Sequence, residues 1–463
     1  MSVTAPLLHG FGVRYDLPIP LALYLYAAGG VVVLSFVIVA VFAGSKVGEQ
    51  ATSYPRLEMR WLAALLRSGV PRAIAGTVGV VALLAVIASG YAGVQDPTHN
   101  PAEYLVWIYF WAALVIVSGL AGNLYAGFNP WSALYDVMTL RRPRKPRLRL
   151  PDRVGIWPAV AGYWLFAGFE LASGRSNHPN WVATVAVIYT VYTLAAMFLF
   201  GRDEWLGRGE TFTVLFSVVG RFSPVEVERD QSGRVARAYL RPWGVGLLQP
   251  FATGWDWIVF VILTLSSLAF DGISATGPWI NDFQPAFAPN LNDTLRVALV
   301  KFFLGLTLIT IVFLLIYVAI MRLVIVFGRG RERLPITTAF VFTLVPIALV
   351  YNFAHNYSYM LVQAQGLFPL INDPLQRGWH LAPSLAGYQP SFALAGAATV
   401  WYMQVILIVI GHVIAVWLSH LRAGERFRSA RRALLSQYPM LGLMVAYTMT
   451  SLWILAQPIT AGG

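Results

Sequence analysis

The residues able to do chemistry in this chain are polar groups set among apolar ones, and the largest set forms a stripe. Asn352, His355, Asn356, Tyr359 and Gln363 follow three- and four-residue spacing, which puts side chains on one face of a helix. Inside a bilayer such a stripe must line a water-filled cavity or pair with another helix, because lipid offers polar groups no partner. Two readings stay open. His355 is a base or metal ligand in an outward-facing pocket, or His355 and Asn352 are hydrogen-bonding glue between helices.

His412 and His420 share a second apolar run. Eight residues of helix separate them by about 80° and about 12 Å, so they cannot hold one ion together. His420, beside Arg422, reads as an interfacial histidine. His412 follows Gly411, where the missing side chain lets another helix or a flat group approach. It is either a buried neutral imidazole with a hydrogen-bond partner or a ligand to metal or haem. Glu170 ends one apolar run and Asp271 another, and a buried Glu170 needs a cation or a proton. Arg296 and Lys301 lie at a suitable depth but point about 140° apart on an ideal helix, so at most one can be close. Snorkelling to the interface suits Arg296 better than Lys301.

These positions give the candidate site. His355, Glu170 and Asp271 are the catalytic candidates, and Asn352, Tyr359, Trp401, Gln404 and Lys301 the substrate-binding ones. His355, His9, His99 and His412 are the candidate metal ligands. Asp16, Glu103, His178, Asp373 and His380 join His9 and His99 in the outer segments.

The elements that must position these groups are transmembrane helices. The 463 residues are 57% hydrophobic and only 12% charged, against about 25% charged in an ordinary soluble domain. Apolar runs at 21–43, 73–93, 104–127, 155–173, 181–200, 255–272, 295–326, 336–360, 394–419 and 438–456 are long enough to cross a bilayer or nearly so. No segment between them is long enough for a substantial second domain, so residues 1–463 are expected to form a single integral membrane domain. The fold class is all-α: a polytopic helix bundle of about ten spans. The segment before the first run does not read as a cleaved signal peptide, so the first span is expected to remain.

Orientation follows from the loops. Lys and Arg crowd the loops after the first, third, fifth, seventh and ninth runs, as in Arg141, Arg142, Arg144, Lys145, Arg147, Arg149 and Arg153. Segments 94–103 and 273–293 contain none, 174–180 only Arg175, and 361–393 only Arg377. Positive loops stay in the cytoplasm, which puts both termini outside and the site candidates in the outer half. The formal net charge of +12 is therefore a topological signal, and no nucleic-acid partner is expected. Two cytoplasmic segments read as short amphipathic interfacial helices. In 56–67, Leu57, Trp61, Leu65 and Leu66 oppose Arg56, Arg60 and Arg67; 211–223 is an apolar run too short to span, lying on the membrane or dipping into it.

The absence of cysteine excludes disulfides, thiolate metal sites, iron–sulfur clusters and cysteine nucleophiles. There is no phosphate-binding glycine loop, HExxH, GxSxG or HxH motif, so any site must be assembled from several helices.

The blocks GNLYAGFNPW at 122–131, FGRDEWLGRGETF at 200–212, NFAHNYSYMLVQAQ at 352–365, INDPLQRGW at 371–379, WYMQVILIVIGHVIAVWLSH at 401–420 and YTMTSLWILAQP at 447–458 resemble a family of bacterial polytopic membrane proteins known as fenitrothion hydrolases. So does the opening LLHGFGVRYDLPIPLALYLY. The resemblance runs nearly end to end. It implies a bacterial inner-membrane organophosphate hydrolase that cleaves the P–O-aryl bond of a lipophilic phosphorothioate triester. A divalent metal ion is the first cofactor to expect and haem the second. The rival readings are a haem- or copper-binding redox protein using His355 and His412, and a transporter or assembly factor with the stripe as its path.

Overall fold

The computed structural model describes residues 19–42, 54–140, 142, 145–231, 234–250, 253–393 and 395–460. Among these, ten helices are long and apolar enough to cross a membrane: α1 (Leu21–Val41), α2 (Val70–Ala92), α3 (Pro101–Ala121), α4 (Asp152–Ala172), α5 (Pro179–Phe200), α6 (Trp255–Ser274), α7 (Thr294–Gly328), α8 (Arg333–Asn372), α9 (Ala397–Arg426) and α10 (Ala430–Gln457). The protein is a multi-pass α-helical membrane protein. Each apolar run expected from the sequence is one of these helices, since a helix is the one open structure that satisfies its own backbone in lipid. Pro71, Pro158 and Pro179 sit in first turns, where a missing N–H costs nothing.

Burial separates axis from rim. The most apolar window of α8 is 89% buried inside the protein, whereas those of α1 and α2 are 22% buried. The stripe-bearing helix is therefore the core of the bundle, with α6 and α9 packed on it and α10 against α9, α7 and α1. The start of α1, the start of α9 and the end of α10 meet in one cluster of Leu21, Tyr24, Trp401 and Ala456. That places both ends of the described chain at the same end of the bundle, as the charge pattern requires.

Among the described residues three stretches wind as π-helix: Tyr104–Ala113 within α3, Pro278–Phe283 after α6, and Val300–Thr307 within α7. A π-turn carries an extra residue and re-aims the side chains along it, and such turns gather at functional sites.

The first expected interfacial helix differs from expectation. Leu57–Glu58 is a short strand, β1, and the helix begins only at Arg60. With β2 (Val225–Arg229) and β3 (Val235–Leu240) it makes an antiparallel sheet in the order β1-β3-β2, Leu57 pairing with Leu240 and Val225 with the same residue from the other side. Leu62, Ala63 and Leu66 turn toward that sheet, against Val235 and Ala238, leaving Trp61 and Leu65 exposed. The sequence could not supply the strand partner, which lies far along the chain. The second segment forms the helix Thr211–Phe222, which lies inside the protein, with Phe212, Leu215, Phe216, Val219 and Phe222 buried. It packs against α3, α4 and α8, which rules out a helix lying flat on the membrane and agrees with the alternative of a segment dipping into the bundle.

Candidate functional site

α6 and α8 bring Asp271 and His355 together, with Asp271 Oδ2 2.9 Å from His355 Nε2. At that distance the two form an ion pair whenever the imidazole carries both its protons. The imidazole lies parallel to the Tyr351 ring one turn earlier, at 5.9 Å between centroids and 8° between planes. His355 is thus fixed on one edge by a carboxylate and on one face by an aromatic ring.

Two π-wound stretches add the next groups. Trp111, on the π-turn of α3, faces the carboxylate of Glu170 at the end of α4, and Glu170 lies within the field of Asp271. Lys301, on the π-turn of α7, also lies within the field of Asp271. Its neighbour in sequence, Arg296, instead gives its Nε–H to the Phe287 carbonyl, 2.7 Å away at the exposed rim. The expected division holds: Arg296 reaches the interface and Lys301 turns inward. The acidic group whose field reaches Lys301 is Asp271, where depth alone suggests Glu170.

Further along α8, Tyr359 lies within the field of Glu103, Glu170 and Asp271. Glu103 opens α3 and is buried, accepting from Trp107 Nε1 at 2.9 Å; the same N–H also reaches the Ser176 carbonyl at 2.8 Å. Of the catalytic candidates, Asp271 and His355 are in contact, and Glu170, Lys301 and Tyr359 lie near enough to Asp271 to feel its charge.

Asn352 sits one turn below His355 and lines a narrow, nearly wholly apolar cavity with Trp111, Tyr163, Phe260, Leu268 and Leu349. Its side-chain and main-chain oxygens both accept from Asn356 Nδ2, at 3.0 and 3.1 Å. The stripe follows neither sequence reading as stated: Asn352 and Asn356 bond to each other within the helix rather than between helices, the cavity Asn352 borders is apolar, and His355 pairs with Asp271 of another helix.

The remaining candidates lie elsewhere. Trp401 is fully buried edge-on to Tyr24 of α1, and Gln404 donates to the Ala354 carbonyl at 3.2 Å, so both tie α9 to its neighbours. His412 is fully buried, with Nδ1 2.8 Å from the Ile408 carbonyl. His99 is exposed and bonded to Asp96 Oδ2 at 3.1 Å. Hydrogen bonds to Asp96 from the Thr98 hydroxyl and N–H hold that carboxyl below its usual range. His9 lies outside the described residues. Among the described residues no three His, Asp or Glu side chains converge closely enough to hold a metal ion. The described candidates therefore do not make a zinc-type site, which draws on three or more protein ligands.

Sequence reasoning missed Trp111 and Tyr351. Tyr351 carries a signal, four residues before His355 on one helix face; Trp111 carries none without the π-turn. Fold and site together define a polytopic helical membrane protein with a half-buried Asp271–His355 pair between two of its spans. Compared with protein-family models, curated proteins and solved structures, the chain matches none.

Proposed function

We propose that the protein is a membrane-embedded hydrolase of lipophilic, neutral organophosphate triesters, acting at the outer face of a bacterial inner membrane. The observation that carries this reading is the 2.9 Å Asp271–His355 pair beside an apolar cavity bordered by Asn352 and Trp111. The family resemblance supplies the substrate class.

Chemically, the pair is a general base with its orienting carboxylate. His355 takes a proton from water as the water oxygen attacks phosphorus. The P–O-aryl bond breaks, and its electron pair leaves with the phenolate. Asp271 stabilises the imidazolium that forms, and the Lys301 ammonium, within the field of Asp271, faces the negative charge growing on the phosphoryl group. A neutral triester partitions into lipid and enters sideways, and the cavity is narrow enough that side chains such as Trp111 swing aside to admit its ring.

The test is nitrophenol release from fenitrothion by washed membranes holding wild-type protein, His355→Ala or Asp271→Asn at matched expression. The expected result is release by wild type, loss in His355→Ala and a fall of about 100-fold or more in Asp271→Asn, as for removal of a positioned acid–base group. Equal release from all three would move the site away from this pair, and no release from wild type would overturn the hydrolase reading.

A further inference from the structure

A second set of buried polar atoms runs inward from the Asp271–His355 pair. The Tyr351 hydroxyl rests against Gly272, the residue after Asp271, and beside Ile454 of α10. It lies within the field of both Asp271 and Tyr447 of α10. The Tyr447 hydroxyl faces Ser451 one turn on, and its ring lies 6.0 Å from the imidazole of His412 on α9. Four helices thus bring Asp271, His355, Tyr351, Tyr447 and His412 into succession.

The protonation of His412 follows from its hydrogen bond. A carbonyl oxygen accepts only, so the contact between Nδ1 and the Ile408 carbonyl fixes the proton on Nδ1 and leaves Nε2 a bare acceptor. Nε2 is buried with no donor from the protein, and the Tyr351 hydroxyl is buried without a partner too. Native interiors pair such atoms with protein or with ordered water. With the Tyr447 hydroxyl, also buried without a partner, three of them in one line of titratable groups mark a place for water.

We propose that internal water bridges the Tyr351 and Tyr447 hydroxyls to His412 Nε2, forming a proton path from the Asp271–His355 pair to the middle of α9. Each hop makes one O–H or N–H bond as another breaks, with the tyrosine hydroxyls giving one proton and taking the next. No oxidant or co-reactant is involved. The path serves any reaction at Asp271–His355 that releases a proton, and it stands whether or not that reaction is triester hydrolysis.

The test uses full-length protein with nitrogen-15 in its histidines, held in lipid bilayers, with solid-state nuclear magnetic resonance reading water contact and exchange into deuterated water. His412→Gln assigns the His412 signal. In wild type, His412 Nε2 is expected to show a cross-peak to mobile water. In Tyr351→Phe and Tyr447→Phe the exchange of the His412 ring N–H is expected to slow at least fivefold, while His355 keeps its water contact and the melting temperature holds. A His412 signal without water contact in wild type would overturn the proposal, as would exchange unchanged in either tyrosine variant.

Discussion

The hydroxyl of Tyr351 on α8 lies against Gly272 on α6, in the space a β-carbon at Gly272 would occupy. This contact sets the approach of the two helices beside Asp271 and His355, so the acid–base pair depends on a residue with no side chain. Gly272→Ala would drive a methyl group into the Tyr351 hydroxyl and the Ile454 side chain. Overpacking of this kind costs about 1–3 kcal/mol. The expected result is a lower melting temperature in detergent, with Gly272→Ala/Tyr351→Phe recovering part of the loss. A variant as stable as wild type would show that the helices separate freely there.

Glu210 anchors the buried helix Thr211–Phe222. Its carboxylate accepts the N–H groups of Phe212 at 3.0 Å and Thr213 at 2.7 Å, the Tyr189 hydroxyl at 2.6 Å, and the Thr213 hydroxyl. It is therefore an N-cap that also satisfies side chains from another helix, and it is completely buried. Glu210→Ala leaves several buried donors without acceptors at about 1–3 kcal/mol each, partly offset by water entering. The expected loss is about 2–4 kcal/mol on that scale, read as a fall in melting temperature or in folded yield, with Glu210→Gln nearer wild type. Equal stability for Glu210→Ala and wild type would refute the anchor role.

The bundle was legible in the sequence because lipid imposes one answer on a long apolar run, and the loop charges gave the sidedness of each helix. Asp271, Glu170, His355 and Lys301 were legible for the same reason, since polar groups at one depth of several spans must find one another. Their pairing was not. Ideal 100° winding cannot show that Lys301 sits on a π-turn within the field of Asp271, nor that Trp111 sits on another and faces Glu170. The burial of Thr211–Phe222 was likewise hidden, because length and apolarity are the same for a helix covered by lipid and one covered by protein.

Gly411 is a position where sequence and structure agree in detail. The glycine before His412 was expected to admit a close neighbour, and that neighbour is Val350 on α8: a β-carbon at Gly411 would overlap the Val350 side chain. α8 and α9 therefore meet along Gly411 and Val350, one residue from Tyr351 and one from His412. Gly411→Ala is expected to destabilise the protein by about 1–3 kcal/mol through overpacking. Val350→Ala alone opens a small void of lesser cost. In Gly411→Ala/Val350→Ala the added methyl occupies space the valine gives up, so the double variant should be more stable than Gly411→Ala alone. The coupling, measured from melting temperatures of all four proteins, should lie at about 0.5–3 kcal/mol, the range for residues in contact. Strictly additive losses would mean the two helices do not pack through this pair, and the placement of His412 beside Tyr447 would lose its support.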